Sequence, residues 1–267
     1  MHGRMLTAFA ALAALPVLAM AQEAAAPMTP ATPSSAPTAA QAVSPGEEIE
    51  WRVDYLGVKT GYAKLAVGRP EGNIWPVIAQ AKTEGVAKIL EIREHYVSYW
   101  HSGEQRSNGN DLEALEIGDR HTERQRFDRE QGKAIVTWWR KGREKQKVVD
   151  VPRDVHDLAS AMLWLRLQPL EAGARYEIPV FTGSDLFTMT ATVGGRERVE
   201  TGIGHMDAVR VDVVLGFKEK FETRRASHVW FSDDSRHIPV KMSADFAVGS
   251  VVATVTTYKP GSQVASR

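Results

Sequence analysis

The side chains that most often carry out chemistry are few and scattered in this sequence. The 267-residue chain has no cysteine, which excludes thiol catalysis, zinc–thiolate sites and iron–sulfur clusters. Its eight histidines form no HExxH motif, no HxH motif and no helical pair four residues apart. His95 and His101 share a predicted strand but would lie about 20 Å apart, too far to hold one metal ion. We therefore predict no metal site and no cofactor.

Two groups of residues resemble parts of hydrolytic sites, and each has a simpler structural explanation. Ser227, His228 and Asp233 have the residue types of a catalytic triad, but adjacent strand residues point to opposite faces of a sheet. Asp154 and Asp157 could act as paired carboxylates, although capping of a helix accounts for them. Because no GxSxG motif is present either, we name no catalytic residue. An envelope hydrolase acting on glycan or lipid is kept as the second hypothesis for function.

The densest run of basic residues is Arg140–Lys147 (RKGREKQK), which follows Trp138 and Trp139. Basic and aromatic side chains together can bind single-stranded nucleic acid. However, the chain has 33 basic and 33 acidic residues, so it has no overall field that would attract nucleic acid or an anionic membrane. We predict no nucleic-acid partner. The run is interpreted as a solvated hairpin tip, with an anionic envelope partner as the alternative.

Large aromatic side chains at alternating strand positions are the better indication of a binding function. Trp51 and Tyr55 lie on one face of a predicted strand, and Phe246 ends another. Core packing explains most such residues, whereas a curved sheet too large to fill its own interior would leave an apolar cavity. In that case we expect Trp51, Tyr55 or Phe246 to contact a lipid-like or amphipathic envelope ligand without covalent chemistry. A tethered protein-interaction module is the third hypothesis.

Alternation of apolar and polar residues predicts that most of the chain forms strands, about a dozen in all. Because each strand has one apolar face, the pattern favours a strongly curved antiparallel sheet or an open β-barrel. One main helix is predicted at about residues 151–168, where Val155, Leu158 and Met162 recur at helical spacing and Asp154 can cap the start. The pattern leaves the oligomeric state open.

The chain begins with the pattern of a secretory signal peptide. Arg4 precedes the apolar run Leu6–Leu18, and Ala19-Met20-Ala21 forms a small-residue cleavage site. The run is shorter than the roughly 20 apolar residues of a membrane-spanning helix, so we expect a periplasmic protein without stable membrane insertion. Three further segments are predicted from composition and alternation: a disordered Ala/Pro/Thr-rich linker at residues 22–46, a single β-rich domain at residues 47–259, and a disordered tail at residues 260–267.

Four longer patterns are arranged in a recognisable order: Trp51–Val67 (WRVDYLGVKTGYAKLAV), Asp154–Ala161 (DVHDLASA), Gly204–Val211 (GHMDAVRV) and Trp230–Val240 (WFSDDSRHIPV). Together they resemble the exported bacterial family called domain of unknown function 3108. Because that family has no assigned activity, the resemblance implies no catalytic residue. It implies a β-rich exported protein and, by analogy of fold, a curved half-barrel like those of periplasmic lipoprotein and lipid carriers.

The signal-peptide pattern predicts cleavage after Ala21, because the cleaving enzyme recognises small residues next to the bond that it breaks. N-terminal sequencing of the exported protein should therefore begin at Gln22. Replacing Ala21 by Trp should leave the precursor uncleaved. An exported wild-type product that retains Met1–Ala21 would contradict this prediction.

Overall fold

The computed structural model describes residues 42–217, 226–245 and 249–262, whose strands form one antiparallel sheet. The chain adds a 3-10 helix at Gly85–Leu90 and an α-helix, α1, at Leu158–Arg166. The strands are β1 Glu48–Tyr55, β2 Val58–Val67, β3 Ile74–Thr83, β4 Arg93–His101, β5 Arg106–Glu116, β6 Asp119–Asp128, β7 Lys133–Arg140, β8 Arg143–Asp150, β9 Arg175–Phe181, β10 Leu186–Thr201, β11 Gly204–Phe217, β12 Ala226–Ser232, β13 Pro239–Asp245 and β14 Ser250–Lys259.

The sheet is ordered β8-β7-β6-β5-β4-β3-β2-β1-β14-β13-β12-β11-β10-β9. The chain therefore starts in the middle of the sheet and proceeds outward by hairpins to β8. It then crosses through α1 to the opposite edge, β9, and returns by hairpins to β14, which pairs with β1. Each strand has one buried face, and the sheet curls around that face. The predicted mainly β architecture, an open and strongly curved antiparallel sheet with one main packed helix, is confirmed.

The two edges of the curled sheet meet through side chains and a connecting segment, without a ladder between β8 and β9. Phe181 of β9 packs edge-on against Phe127 of β6, with ring centroids 6.5 Å apart. The segment that leads from β8 to α1 covers the β9 edge. There the His156 N–H donates to Pro179 O at 2.8 Å, and the Phe181 N–H donates to His156 O at 2.9 Å. A covered edge cannot pair with another chain.

The interior packs around α1. Ala159 and Leu163 belong to the apolar cluster beneath β1–β4, β13 and β14. Ala161 and Leu165 belong to the cluster beneath β9–β12. The helix therefore contributes to both parts of the core.

The structure corrects the predicted bounds and cap of the helix. Helix α1 spans Leu158–Arg166, not about 151–168, and its N-cap is Asp157, not Asp154. The Asp157 carboxylate accepts from the Ser160 N–H at 2.8 Å, and the Ser160 hydroxyl faces the Asp157 N–H at 3.0 Å, which completes a capping box. The helix cannot begin earlier because His156 bridges to Val180 of β9 and Asp157 has an extended backbone. Val155 accordingly packs with Phe181 outside the helix.

The predicted linker boundary also shifts. We predicted a linker through residue 46, but Ala42 and Val43 are buried in the core. At the other end, the Ser262 N–H donates to Pro45 O at 2.9 Å, so residues 260–262 lie against the domain. The signal peptide, most of the predicted linker and residues 263–267 lie outside the described residues.

A buried ion pair explains why the segment before β1 is packed. Arg166, the last residue of α1, donates through Nη1 and Nη2 to the two carboxylate oxygens of Glu47, at 2.9 and 2.8 Å. The exposed fractions of the two side chains are 1% and 3%. The same guanidinium donates to Ala42 O and, at 3.1 Å, to His237 O. One side chain thus ties the N-terminal segment, the helix and the β12–β13 connection together.

Removing one partner of this pair should be strongly destabilising, because the other charge would stay buried without compensation. We expect Glu47→Gln to lower the free energy of unfolding by about 3–5 kcal/mol in chemical denaturation. Arg166→Met combined with Glu47→Leu should cost less than the sum of the two single changes. Arg175→Met is the control, since Arg175 and Glu177 form an exposed pair of roughly 0–1 kcal/mol. Equal losses at the two arginines would contradict the prediction.

Candidate functional site

The strongest candidate site is an apolar cavity between α1 and the concave face of the sheet. Its volume is about 120 Å³, and it is walled by α1, β1, β2 and β10–β13. Leu158, Ala159 and Met162 line it from the helix, and Trp51 and Met189 are among the residues that line it from the sheet. Ala159 is the small residue among the helix side chains of the lining, and a larger side chain there would fill part of the space.

The cavity wall is both adaptable and reachable from solvent. Met162, Met189 and Met242 line it, and methionine changes shape readily because its side chain is unbranched and flexible. Leu158, Met162 and Met242 are only half-buried, so the cavity extends to the surface beside the helix. As it stands, the volume is comparable to a cavity that holds one small aromatic molecule. A longer apolar chain would require these methionines to move.

Two polar groups of the cavity wall, the Trp51 indole and the Ser227 hydroxyl, differ in their hydrogen bonding. The Trp51 indole N–H donates to Pro239 O at 2.7 Å, so its ring is held in place against the wall. Ser227 also lines the cavity, and its buried Oγ has no hydrogen-bond partner among the described residues. His228 and Ser243 are the other polar side chains of the lining. The unpartnered Ser227 hydroxyl can bond to a polar atom of a ligand.

Of the three predicted ligand-binding residues, the structure describes Trp51 and Tyr55, and only Trp51 lines the cavity. Trp51 is 2% exposed and lines the cavity. Tyr55 is half-buried and is not part of the lining, because it lies four residues further along β1, about 13 Å by strand rise. Phe246 lies outside the described residues. Sequence reasoning missed Met162, Met189 and Met242, whose only signal was their place in alternating or helical apolar patterns.

A second cluster of interest is the polar group beneath β4–β6. The Asp157 carboxylate is fully buried and accepts from the Ser98 hydroxyl at 2.7 Å as well as from Ser160. Burial raises the pKa of Asp157 and raises that of the nearby Tyr96 hydroxyl well above its usual value. Because this carboxylate is inaccessible and caps α1, its role is structural.

His156 lies beside this cluster. It is 5% exposed, and its Nδ1 is 3.2 Å from the Ser160 hydroxyl. Burial, together with the positive charge of Arg129, lowers the pKa of His156 to about 4. The ring is therefore neutral at neutral pH, and protonating it would place a second positive charge in a buried site next to a guanidinium.

The structure does not arrange Ser227, His228 and Asp233 as a catalytic triad. The His228 ring nitrogen Nδ1 lies 2.7 Å from Asp212, and Asp233 pairs with Arg196 at 2.7 Å. The Ser227 hydroxyl, as noted, faces the apolar cavity. Within the ranges that the structure describes, no cluster of three or more His, Asp or Glu side chains could hold a metal ion.

Comparison with known proteins establishes the family. Residues 50–256 match the family described as Protein of unknown function (DUF3108). The chain belongs to this family. The match spans most of the chain and confirms the resemblance drawn from the four sequence patterns. No curated protein matches the sequence.

One solved structure resembles this DUF3108 member in fold, and two others match it at lower TM-scores. A β-barrel-like protein of domain of unknown function DUF1849 from Brucella abortus is 10% identical, with a TM-score of 0.57 over 81% of this chain and 97% of that one. A protein from Bacteroides fragilis, described as exported with a YmcC-like fold, is 9% identical, with a TM-score of 0.32 over 81% and 96%. One from Parabacteroides distasonis, described as a lipoprotein, is 10% identical, with a TM-score of 0.37 over 85% and 100%. At these identities the first likeness shows the fold alone.

In the part of the chain that is described, no helix has the length and hydropathy of a membrane span.

The buried His156 predicts a specific loss of stability in acid. Its pKa is about 4 in the folded protein against an ordinary value of 6.5, so the unfolded chain takes up the proton first as the pH falls. Stability is therefore complete above pH 6.5 and declines toward pH 4, by roughly 3 kcal/mol from this residue. We expect His156→Gln to lack this part of the decline in denaturant titrations at several pH values. His205→Gln, at an exposed site on β11, should follow the wild type. Parallel curves for wild type and His156→Gln would contradict the assignment.

Proposed function

We propose that this DUF3108 protein is an exported, periplasmic, non-enzymatic protein that binds the acyl chain of an apolar or amphipathic envelope component. The observation that carries the proposal is the apolar cavity between α1 and the sheet. Its lining includes a fixed tryptophan, three methionines and the unpartnered Ser227 hydroxyl. The ligand would be held by apolar burial, without covalent chemistry and without metal.

The lining favours an alkyl chain over a polar small molecule. Leu158, Met162 and Met189 offer dispersion contacts but no hydrogen bond, so a sugar or nucleotide would lose its hydration without compensation. A flexible alkyl chain can follow an irregular, adaptable wall. The Ser227 hydroxyl suits a single ester or carboxyl oxygen at one end of such a chain.

The periplasmic location is supported by the sequence alone. The pattern of a charged start, an apolar run and small residues at Ala19–Ala21 is typical of export. Envelope components with acyl chains are abundant in that compartment, so the location and the cavity chemistry are consistent with one another.

A binding function is favoured over envelope hydrolysis because the ionisable residues of the interior are committed to structure. Asp157 caps α1 and accepts from Ser98, and Glu47 pairs with Arg166. A hydrolase needs an acid or base within reach of the substrate. Neither of these carboxylates reaches the cavity lining, and His228, which does line it, is paired with Asp212 at 2.7 Å.

Binding of a fluorescent fatty acyl probe to delipidated protein tests the proposal. We expect saturable binding that Ala159→Leu weakens about tenfold, since the larger side chain occupies the cavity. Met242→Ala should enlarge the cavity and admit a longer acyl probe. Tyr55→Ala, on the same strand as Trp51 but outside the lining, is the matched control and should bind as the wild type does.

Circular dichroism and denaturation would show that each variant folds. Two results together would refute the proposal: absence of saturable binding to folded wild type, and absence of extractable lipid in the protein as purified.

A further inference from the structure

Exposed apolar side chains concentrate at one end of the curled sheet. In an antiparallel sheet built of hairpins, the β1–β2, β3–β4, β5–β6 and β7–β8 connections all lie at the same end. Five large apolar residues at or beside the first three of these connections are at least half exposed: Leu56 58%, Val58 53%, Val86 75%, Ile89 83% and Ile117 55%. We call these five residues the apolar rim. Single exposed apolar residues are ordinary, but a group on three neighbouring connections marks an interaction surface.

Two of the rim residues also occupy unfavourable backbone conformations. The β1–β2 and β5–β6 turns place Leu56 at φ 51° and Ile117 at φ 49°, each followed by a glycine with positive φ. Hairpin turns of this kind favour Asn, Asp or Gly at the first position, and a β-branched residue there is a genuine outlier. The chain thus keeps bulky apolar residues where backbone preference and solvent both oppose them. Strain of this kind points to a function for the side chain itself.

The next hairpin at this end supplies positive charge. Its tip borders a cleft of about 660 Å³ lined by Trp138 and four basic residues, Arg140, Lys141, Arg143 and Lys145. Arg140 pairs with Asp119. Across the described ranges, the other three have no carboxylate within ion-pairing distance of their side chains. The cleft therefore presents cations to solvent beside an aromatic ring.

Acidic residues at this end do not cancel that charge. Glu84 pairs with Lys59 at 3.2 Å. Glu144 keeps its charge while it accepts from the Trp139 indole at 2.8 Å, but the four basic residues of the hairpin outnumber Asp119 and Glu144. Glu91 lies between Lys88 and Arg93 in the sequence. The overall neutrality of the chain thus hides a local excess of basic side chains beside the apolar rim.

We propose that the apolar rim and the basic β7–β8 hairpin dock the protein reversibly on an anionic lipid surface. Separate turns that project bulky apolar side chains suit a bilayer interface, which needs no matching shape. Neighbouring lysines and arginines suit anionic headgroups. A protein partner would require a continuous complementary patch, whereas these side chains stand on distinct turns. The proposal does not depend on what occupies the cavity beneath α1.

Vesicle cosedimentation tests the docking surface. The probes are vesicles of phosphatidylcholine alone and of phosphatidylcholine mixed with phosphatidylglycerol in equal amounts. We expect the wild type to bind the anionic vesicles preferentially. Leu56→Asn combined with Ile117→Asn should weaken that binding about thirtyfold, since two apolar side chains lose their burial. Because asparagine suits the turn conformation, the same variant should unfold at a higher denaturant concentration than the wild type.

The matched control is Ile203→Asn, which changes an exposed isoleucine in the β10–β11 turn at the opposite end and should leave vesicle binding unchanged. All proteins share one N-terminus, so residues before Ala42 contribute equally. Lys141→Glu combined with Arg143→Glu should abolish the preference for anionic vesicles. Failure of the wild type to bind, equal loss in Ile203→Asn, or self-association that the rim variant disrupts in place of vesicle binding would each overturn the proposal. Loss of acyl-probe binding with vesicle binding intact would refute only the cavity function.

Discussion

The Arg166–Glu47 ion pair is the interaction on which the rest of the fold depends. An open sheet of this width has no closing ladder, so something must fix where the helix lies on its concave face. Arg166 does so at the C-terminal end of α1 by binding Glu47, Ala42 and the β12–β13 connection at once. A buried guanidinium is stable in few positions, because each buried N–H without an acceptor costs folding free energy. The pair thus acts by restricting the helix to one place, a role that a well-packed apolar contact would serve less specifically.

The other end of α1 is fixed by polar contacts of a different kind. Asp157 caps the helix while accepting from Ser98 of β4, so the helix start is bonded to the sheet. With both ends fixed, the middle of the helix cannot settle more deeply into the apolar concavity. Ala159 and Met162 then line the gap from the helix, Trp51, Met189 and Met242 line it from the sheet, and the cavity is a consequence of the two anchors. Deeper packing would break buried hydrogen bonds that are costlier than the contacts it would gain.

The sequence predicted the parts of this fold that depend on local pattern. Alternation identified the strands, and Trp51 emerged as a cavity residue because it lies in the middle of a strictly alternating strand. The helix cap was wrong because Asp154 and Asp157 are equally good caps in isolation, and only the pairing of His156 with β9 decides between them. The buried ion pair was not predictable, since Glu47 and Arg166 are 119 residues apart and each looks like an ordinary surface residue. Net charge could not show the basic hairpin either, because a sum over the chain carries no information about where the cations lie.

The expected strength of membrane binding by the apolar rim determines how the rim and the cavity could work together. Partial burial of five exposed side chains, at about 1 kcal/mol each, gives roughly 5 kcal/mol, which corresponds to a dissociation constant near the millimolar range. Each basic side chain at an anionic surface adds about 1 kcal/mol. A surface of this kind holds a protein reversibly, far from the permanence of a spanning helix. A protein that exchanges an acyl chain with a membrane needs that regime, since tighter attachment would prevent departure. The strained Leu56 and Ile117 turns fit it as well, because small exposed contacts can be gained and lost without disturbing a core anchored elsewhere by Arg166.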